Sequence, residues 1–253
     1  MRKLLGAVTM VVLVAGLSAC AEAGDAGGHG PQRADRSDAV FDALRAGASL
    51  GSQAGGSVVT LRDVLPNTLI EVDGNTPVAM GGGVYVGTIA SVQGVTGWRF
   101  APRQPDGEQQ TSFDDPDADW RTASVTVSVE RSWSPADPVA DPLVVSVTSA
   151  PPLTAAEFVD GLDAMGRVII ALDRLPTPAG TRSIALGGAA LGQVGDGDRI
   201  SFPVLQTDDP SDGDPAEAEF LDGVQDLGDL ATTARLPERT VIVRHGGVAG
   251  IRG

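Results

Sequence analysis

Between Arg121 and Trp133 the chain reads RTASVTVSVERSW. Ala123, Val125, Val127 and Val129 share one parity, while Thr122, Ser124, Thr126, Ser128 and Glu130 share the other. Side chains alternate across a strand with a period of two, so this segment is a strand with one dry face and one wet face. A helix cannot use the pattern, because at 3.6 residues per turn the valines would spread around its axis. A half-buried strand needs a sheet beside it and a second layer over its dry face. LVVSVTS, residues 143–149, repeats the alternation with Leu143, Val145 and Val147 inward, and SPADPVADP between the two reads as a loop.

The rest of the chain supplies more short strands than helices. SVVTLRDVL and TLIEV are β-branched runs separated by Pro66-Asn67 and closed by the turn Asp73-Gly74-Asn75. MGGGVYVGTIASVQGVTGWRF reads as a strand over residues 84–92 whose glycines mark a bulge or bend. Residues 35–46 have helical spacing, with Val40 and Leu44 on one face. Thr154 and Glu157 form a capping box before the stripe Phe158, Leu162 and Met165. Residues 168–172 read as a buried strand, and Gly195-Asp196-Gly197-Asp198 as a hairpin turn. Asp214-Pro215 opens a last helix carrying Phe220, Leu221, Val224 and Leu227, and residues 240–243 a closing strand before a loose glycine-rich tail. The expected fold is mainly β, a β-barrel or sandwich of eight to ten short strands with two or three peripheral helices, in one domain over residues 35–253. The order VYVGTIASV, ASVTVSVERSW, PLVVSVTS is similar to that of netrin-like and other OB-type barrels, over at most residues 78–205. The cysteines typical of netrin-like modules are missing; the resemblance implies an OB-like barrel and a binding role.

The first 34 residues carry an address instead of a fold. Met1-Arg2-Lys3 is basic, and the apolar run LLGAVTMVVLVAGL is too short to span a bilayer, which takes roughly 20 residues as a helix. Leu17-Ser18-Ala19-Cys20 resembles a bacterial lipobox, which implies cleavage after residue 19 and a lipid-modified Cys20 as the first mature residue. The expectation is therefore a signal peptide over residues 1–19, a flexible Gly/Ala-rich tether over 20–34, and a domain held at the extracytoplasmic face of a cell membrane through the acylated Cys20. Its partners are then the lipid bilayer and an envelope protein or ion.

Composition removes several functions. Lys3 is the only lysine, so the mature chain has no Walker A lysine and no Schiff-base lysine. The chain holds 18 basic and 33 acidic residues, a net charge of −15, which opposes binding to nucleic acid. The single cysteine precludes disulfides and thiolate metal clusters. Of the two histidines, His29 falls in the tether and His245 in the glycine-rich tail, so neither marks a catalytic triad.

Two acidic segments remain. Asp115, Asp117 and Asp119 in DDPDADW are spaced like the start of a calcium loop, but Trp120 stands where the glycine belongs and Thr126 where the chelating glutamate belongs. Asp208, Asp209 and Asp212 in TDDPSDGDP have the same standing. The expected role of both is a solvated acidic loop, with a calcium-stabilised module as one alternative and a carboxylate-based or metal-assisted hydrolase as another. No catalytic residue and no cofactor is assigned. Trp98 and Trp120 flank the acidic insert and are the candidates for a binding rim. The leading reading is a lipid-anchored binding module without catalysis.

Overall fold

A computed structural model of the chain describes residues 30–51, 60–100, 107–135, 141–177, 180–185, 191–205, 215–245 and 247–253. Among these are four α-helices and twelve strands; the strands form two open sheets, and neither sheet closes into a ring. The fold is mainly β, as expected, with open sheets in place of the barrel alternative.

The larger sheet grows from one long hairpin. β3 (Gly81–Phe100) and β5 (Trp120–Trp133) pair antiparallel along most of their length, from Val84↔Trp133 at the base to Trp98↔Trp120 at the tip. β6 (Leu143–Ser149) continues the sheet beyond β5, and β7 (Arg167–Thr177) lines the other side of β3 at its base. β4 (Glu108–Thr111) takes that side of β3 at its tip. β8 (Gly180–Ala185) and β9 (Leu191–Val194) pair with β7, and β10 (Ile200–Ser201) with β9 through the expected Gly195–Asp198 turn. The register of β3 on β5 shifts at three places, between Val86 and Gly87, Ile89 and Ser91, and Gln93 and Thr96. Extra residues at such bulges bend and twist a strand; they let the 15 residues Val84–Trp98 of β3 follow the 14 of β5.

One face of this sheet is the core. Ala123, Val125, Val127, Val145 and Val147 point into it and are covered by Val40, Phe41 and Leu44 of α1 (Gly30–Gly51) and Phe158 and Leu162 of α2 (Ala155–Ala164). The two helices touch where Gly161 faces Val40, and any β-carbon at Gly161 would collide with that valine. The capping box forms as expected: Thr154 Oγ1 accepts the Glu157 N–H, and the Glu157 carboxylate accepts the Thr154 N–H.

The smaller sheet has the order β12-β11-β1-β2, from β1 (Thr68–Val72), β2 (Val78–Ala79), β11 (Arg239–Arg244) and β12 (Gly247–Arg252). The parallel pairing of β1 with β11 joins segments about 170 residues apart in the chain.

Four expectations need correction. Helix α1 begins at Gly30, so the last five residues of the expected tether are helical; Pro31 falls in its first turn, where a missing N–H breaks no helical bond. Residues 60–65 are turns instead of a strand, since the Asp63 carboxylate accepts both the N–H and the hydroxyl of Thr60, and Leu61, Val64 and Leu65 sit at helical spacing into the core. The last helix divides into α3 (Pro215–Leu221) and α4 (Leu227–Thr233): Asp222 and Gly223 take positive φ, and Asp226 caps the second helix through the N–H groups of Gly228 and Asp229. The tail is a hairpin strand, β12, turned at His245, whose N–H donates to Asp73.

Candidate binding face

The outward face of the β3–β5–β6 strands has no helix or loop described over it. Directly opposed residues on neighbouring strands point to the same side, so the register assigns this face row by row. Thr88 pairs with Ser128; Ser91 with Thr126 and Val144; Gln93 with Ser124 and Ser146; Thr96 with Thr122 and Thr148; and Gln110 with Trp98 and Trp120. Beyond the Thr88 row, which also takes in Arg167 of β7, no residue in these rows is charged. They run for about 30 Å at roughly 3.3 Å per residue. Charges reappear only at the two ends. Glu108 lies beside Phe100 at the tip. At the base, Arg167 bonds Glu130 (2.8 Å) and Asp198 (2.5 Å).

At the tip the polarity of the hairpin inverts. Along the base, inward residues are aliphatic and outward ones, Gln93 apart, carry hydroxyls. From Gly97↔Arg121 onward the inward phase is polar, holding Arg99, Thr111 and Arg121, while the outward phase is aromatic, holding Trp98, Phe100 and Trp120. Trp98 and Trp120 lie side by side, half-buried, and the Trp98 indole N–H donates to Thr122 Oγ1 at 2.9 Å, which fixes its ring. Phe100 is 66 % exposed. The two tryptophans expected as a rim thus meet on one face. Phe100 was not among the expected residues; its parity with Trp98 was the available signal.

The inward side of the tip explains the aspartates. The Asp115 carboxylate accepts from the Thr111 hydroxyl, from Arg99 Nη2 (2.5 Å) and from the Asp117 N–H (3.0 Å). Those donors, the Thr111 hydroxyl foremost and then Arg99 and the Asp117 N–H, hold Asp115 down to about 2. Asp117 bonds Arg99 at 3.0 Å, and Asp119 accepts the Phe100 N–H at 2.6 Å. Asp115 and Asp117 therefore turn to a guanidinium, and Asp119 to a backbone amide. Among the described residues, no group of three or more His, Cys, Asp or Glu side chains is placed to hold a metal ion. Asp208, Asp209, Asp212 and Cys20 lie outside the described residues.

Behind this cluster Arg121 is only 4 % exposed, on the phase of Ala123 and Val125. Its Nε donates to the Phe113 carbonyl (2.5 Å), its Nη2 to the Asp115 carbonyl (3.2 Å), and its guanidinium lies 5.5 Å from the Phe113 ring centre. Two backbone carbonyls and a π face hold the cation and clamp the 113–115 turn to the sheet. Arg121 Nη1 and Ser149 Oγ, which face each other across β5 and β6, are buried without a partner.

A separate cleft of about 780 Å³ opens between the β9–β10 turn and α3, with Asp196, Arg199, Ser201, Glu217 and Gln225 on its walls. Glu217 accepts the Phe202 N–H, so of the two carboxylates on the cleft walls, Asp196 and Glu217, the second is committed to the backbone. Elsewhere, Glu71, Asp115 and Glu157 are held below the ordinary carboxylate range, each by a donor that builds the fold: Arg244 for Glu71, Thr111 for Asp115 and Thr154 for Glu157.

No family model, curated protein or solved structure matches the chain.

Proposed function

We propose that the chain is a lipid-anchored, extracytoplasmic binding module that works through the open face of β3, β5 and β6 without catalysing a reaction. The observation that carries this reading is the inverted tip. Folding alone favours aromatics inside and arginines outside, yet here Trp98, Trp120 and Phe100 occupy the solvent phase while Arg121 is buried behind them. Such an arrangement suits a surface kept for a partner, since tryptophan anchors on rigid elements are typical of binding sites. Anchoring rests on the basic start, the apolar run and the Leu17-Ser18-Ala19-Cys20 tetrad, and among the described residues no helix is long and apolar enough to cross a membrane.

Two measurements on the full chain in its own cells test the reading. Labelled palmitate should enter the wild-type protein and not Cys20→Ala, which should leave the membrane fraction. A photoreactive residue at exposed Ser146, on the open face, should capture an envelope component, while one at exposed Asp160 on α2 should not. Equal capture at both positions, or none at Ser146, counts against this face.

A further inference from the structure

Building on that reading, we infer that the occupant of the open face is an uncharged polysaccharide, held by stacking on the tip aromatics and by hydroxyl hydrogen bonds along the rows beneath them. Three observations carry this. The first is charge: residues 81–234 hold 24 acidic and eight basic side chains, yet the rows from Ser91 to Trp98 present none. A surface patch of this size left neutral in so acidic a stretch excludes a charged ligand held by ion pairs. A basic peptide would find no carboxylates within the rows, and an anionic polymer would find no cations and would be repelled by the surroundings.

The second is the chemistry of the side chains. Rows of Ser, Thr and Gln offer both donors and acceptors on rotors that adapt to a partner carrying both at every position. Hydroxylated rings are such partners. Their edges bear O–H groups and their faces bear C–H bonds with a partial positive charge, which settle on the negative face of an indole or phenyl ring. A folded protein partner asks for a larger aliphatic contribution than Val144 alone supplies.

The third is shape and stiffness. Trp98 and Trp120 are neighbours on paired strands, Phe100 is two residues on from Trp98, and the Thr122 hydroxyl holds the Trp98 ring in place. The platform is therefore organised before the ligand arrives, and its elongated form matches a chain of rings better than a single one. The cost of ordering rotatable side chains, which weakens binding at flexible surfaces, is largely met in advance.

The test is retention of the full-length protein, in detergent, on insoluble β-glucan, mannan and galactan, with elution by the matching soluble oligosaccharide. Retention on at least one matrix is expected. It should fall about tenfold or more in Trp98→Ala and in Phe100→Ala, the size of a lost aromatic anchor. Because Phe100 is 66 % exposed, its substitution should leave the melting temperature unchanged, which separates lost binding from lost fold. Retention on none of the three matrices, or equal retention of wild type and both variants, overturns the inference. Failure here with continued crosslinking of a protein at Ser146 removes the polysaccharide but keeps the binding face. Failure of both removes the face itself.

Discussion

Base and tip of the β3–β5 hairpin obey the same geometry and opposite chemistry. At the base, Val125 and Val127 are in the core and Ser124 and Thr126 face water; at the tip, Arg121 is in the interior and Trp120 faces out. The base is built by the hydrophobic effect, with each fully buried valine contributing on the order of 1.5–3 kcal/mol. The tip is built by directed bonds: Arg121 to two carbonyls, Arg99 to two aspartates, Asp119 to the Phe100 amide. Strand parity states which residues share a face, and it leaves open which face is dry. Polar interiors are specific but tolerate little loss, because each truncated partner leaves a buried group unpaired.

The largest effect that tests this contrast belongs to the base. Val125→Asp places an unpaired carboxylate where exposure is 0 % and should cost more than about 4 kcal/mol, unfolding the domain at ambient temperature, while Ser124→Asp next to it should stay within about 0.5 kcal/mol in a urea melt. Comparable losses at the two positions would mean that the outward face is covered. At the tip, Arg121→Ala should cost about 3 kcal/mol through two orphaned carbonyls and a cavity, and hydrogen exchange should quicken in residues 111–119 ahead of the base strands. Exchange that rises equally in both halves would join tip and base into one cooperative unit.

Acid supplies the smallest effect and the sign can be worked out. Asp115 titrates at about 2 in the fold, below its unfolded value of about 3.9. Its bonds therefore stabilise the fold fully above about pH 4, and the contribution is lost as pH falls through about 2. Asp115→Asn should melt below wild type at pH 7, and the gap should narrow between about pH 4 and 2 as the wild-type carboxyl takes up its own proton. A gap that persists unchanged at pH 2 would assign the loss to packing.

The base was legible in the sequence because every inward residue of β5 from Ala123 to Val129 is aliphatic and every outward one polar up to Glu130. The tip was not, since Arg121 breaks the apolar pattern although it shares the parity of Ala123, and only the register of β3 on β5 places Trp98 opposite Trp120. Spacing alone suggested a cation among Asp115, Asp117 and Asp119; the side chain that fills that role for the first two, Arg99, lies 16 residues away and meets Asp115 only in the folded hairpin. β12 was hidden by its glycines, which carry no side chain to report a face, and the break between α3 and α4 by a stripe that runs across it. The fold class was readable from local alternation. The candidate site depends on contacts between distant segments, so it was only half readable.

The openness of the β3–β5–β6 face has a consequence for how tightly it can hold anything. A flat surface leaves one side of its ligand in water, so a single copy binds weakly and lets go quickly. Copies fixed to one bilayer by a short leash behave differently when they meet a repeating polymer. Once one copy has engaged, its neighbours meet the next repeat at an effective concentration in the millimolar range, and the assembly holds by avidity. Each unit can still release alone, so on the proposed anchor the membrane and the polymer would adhere strongly overall and slide past each other one contact at a time.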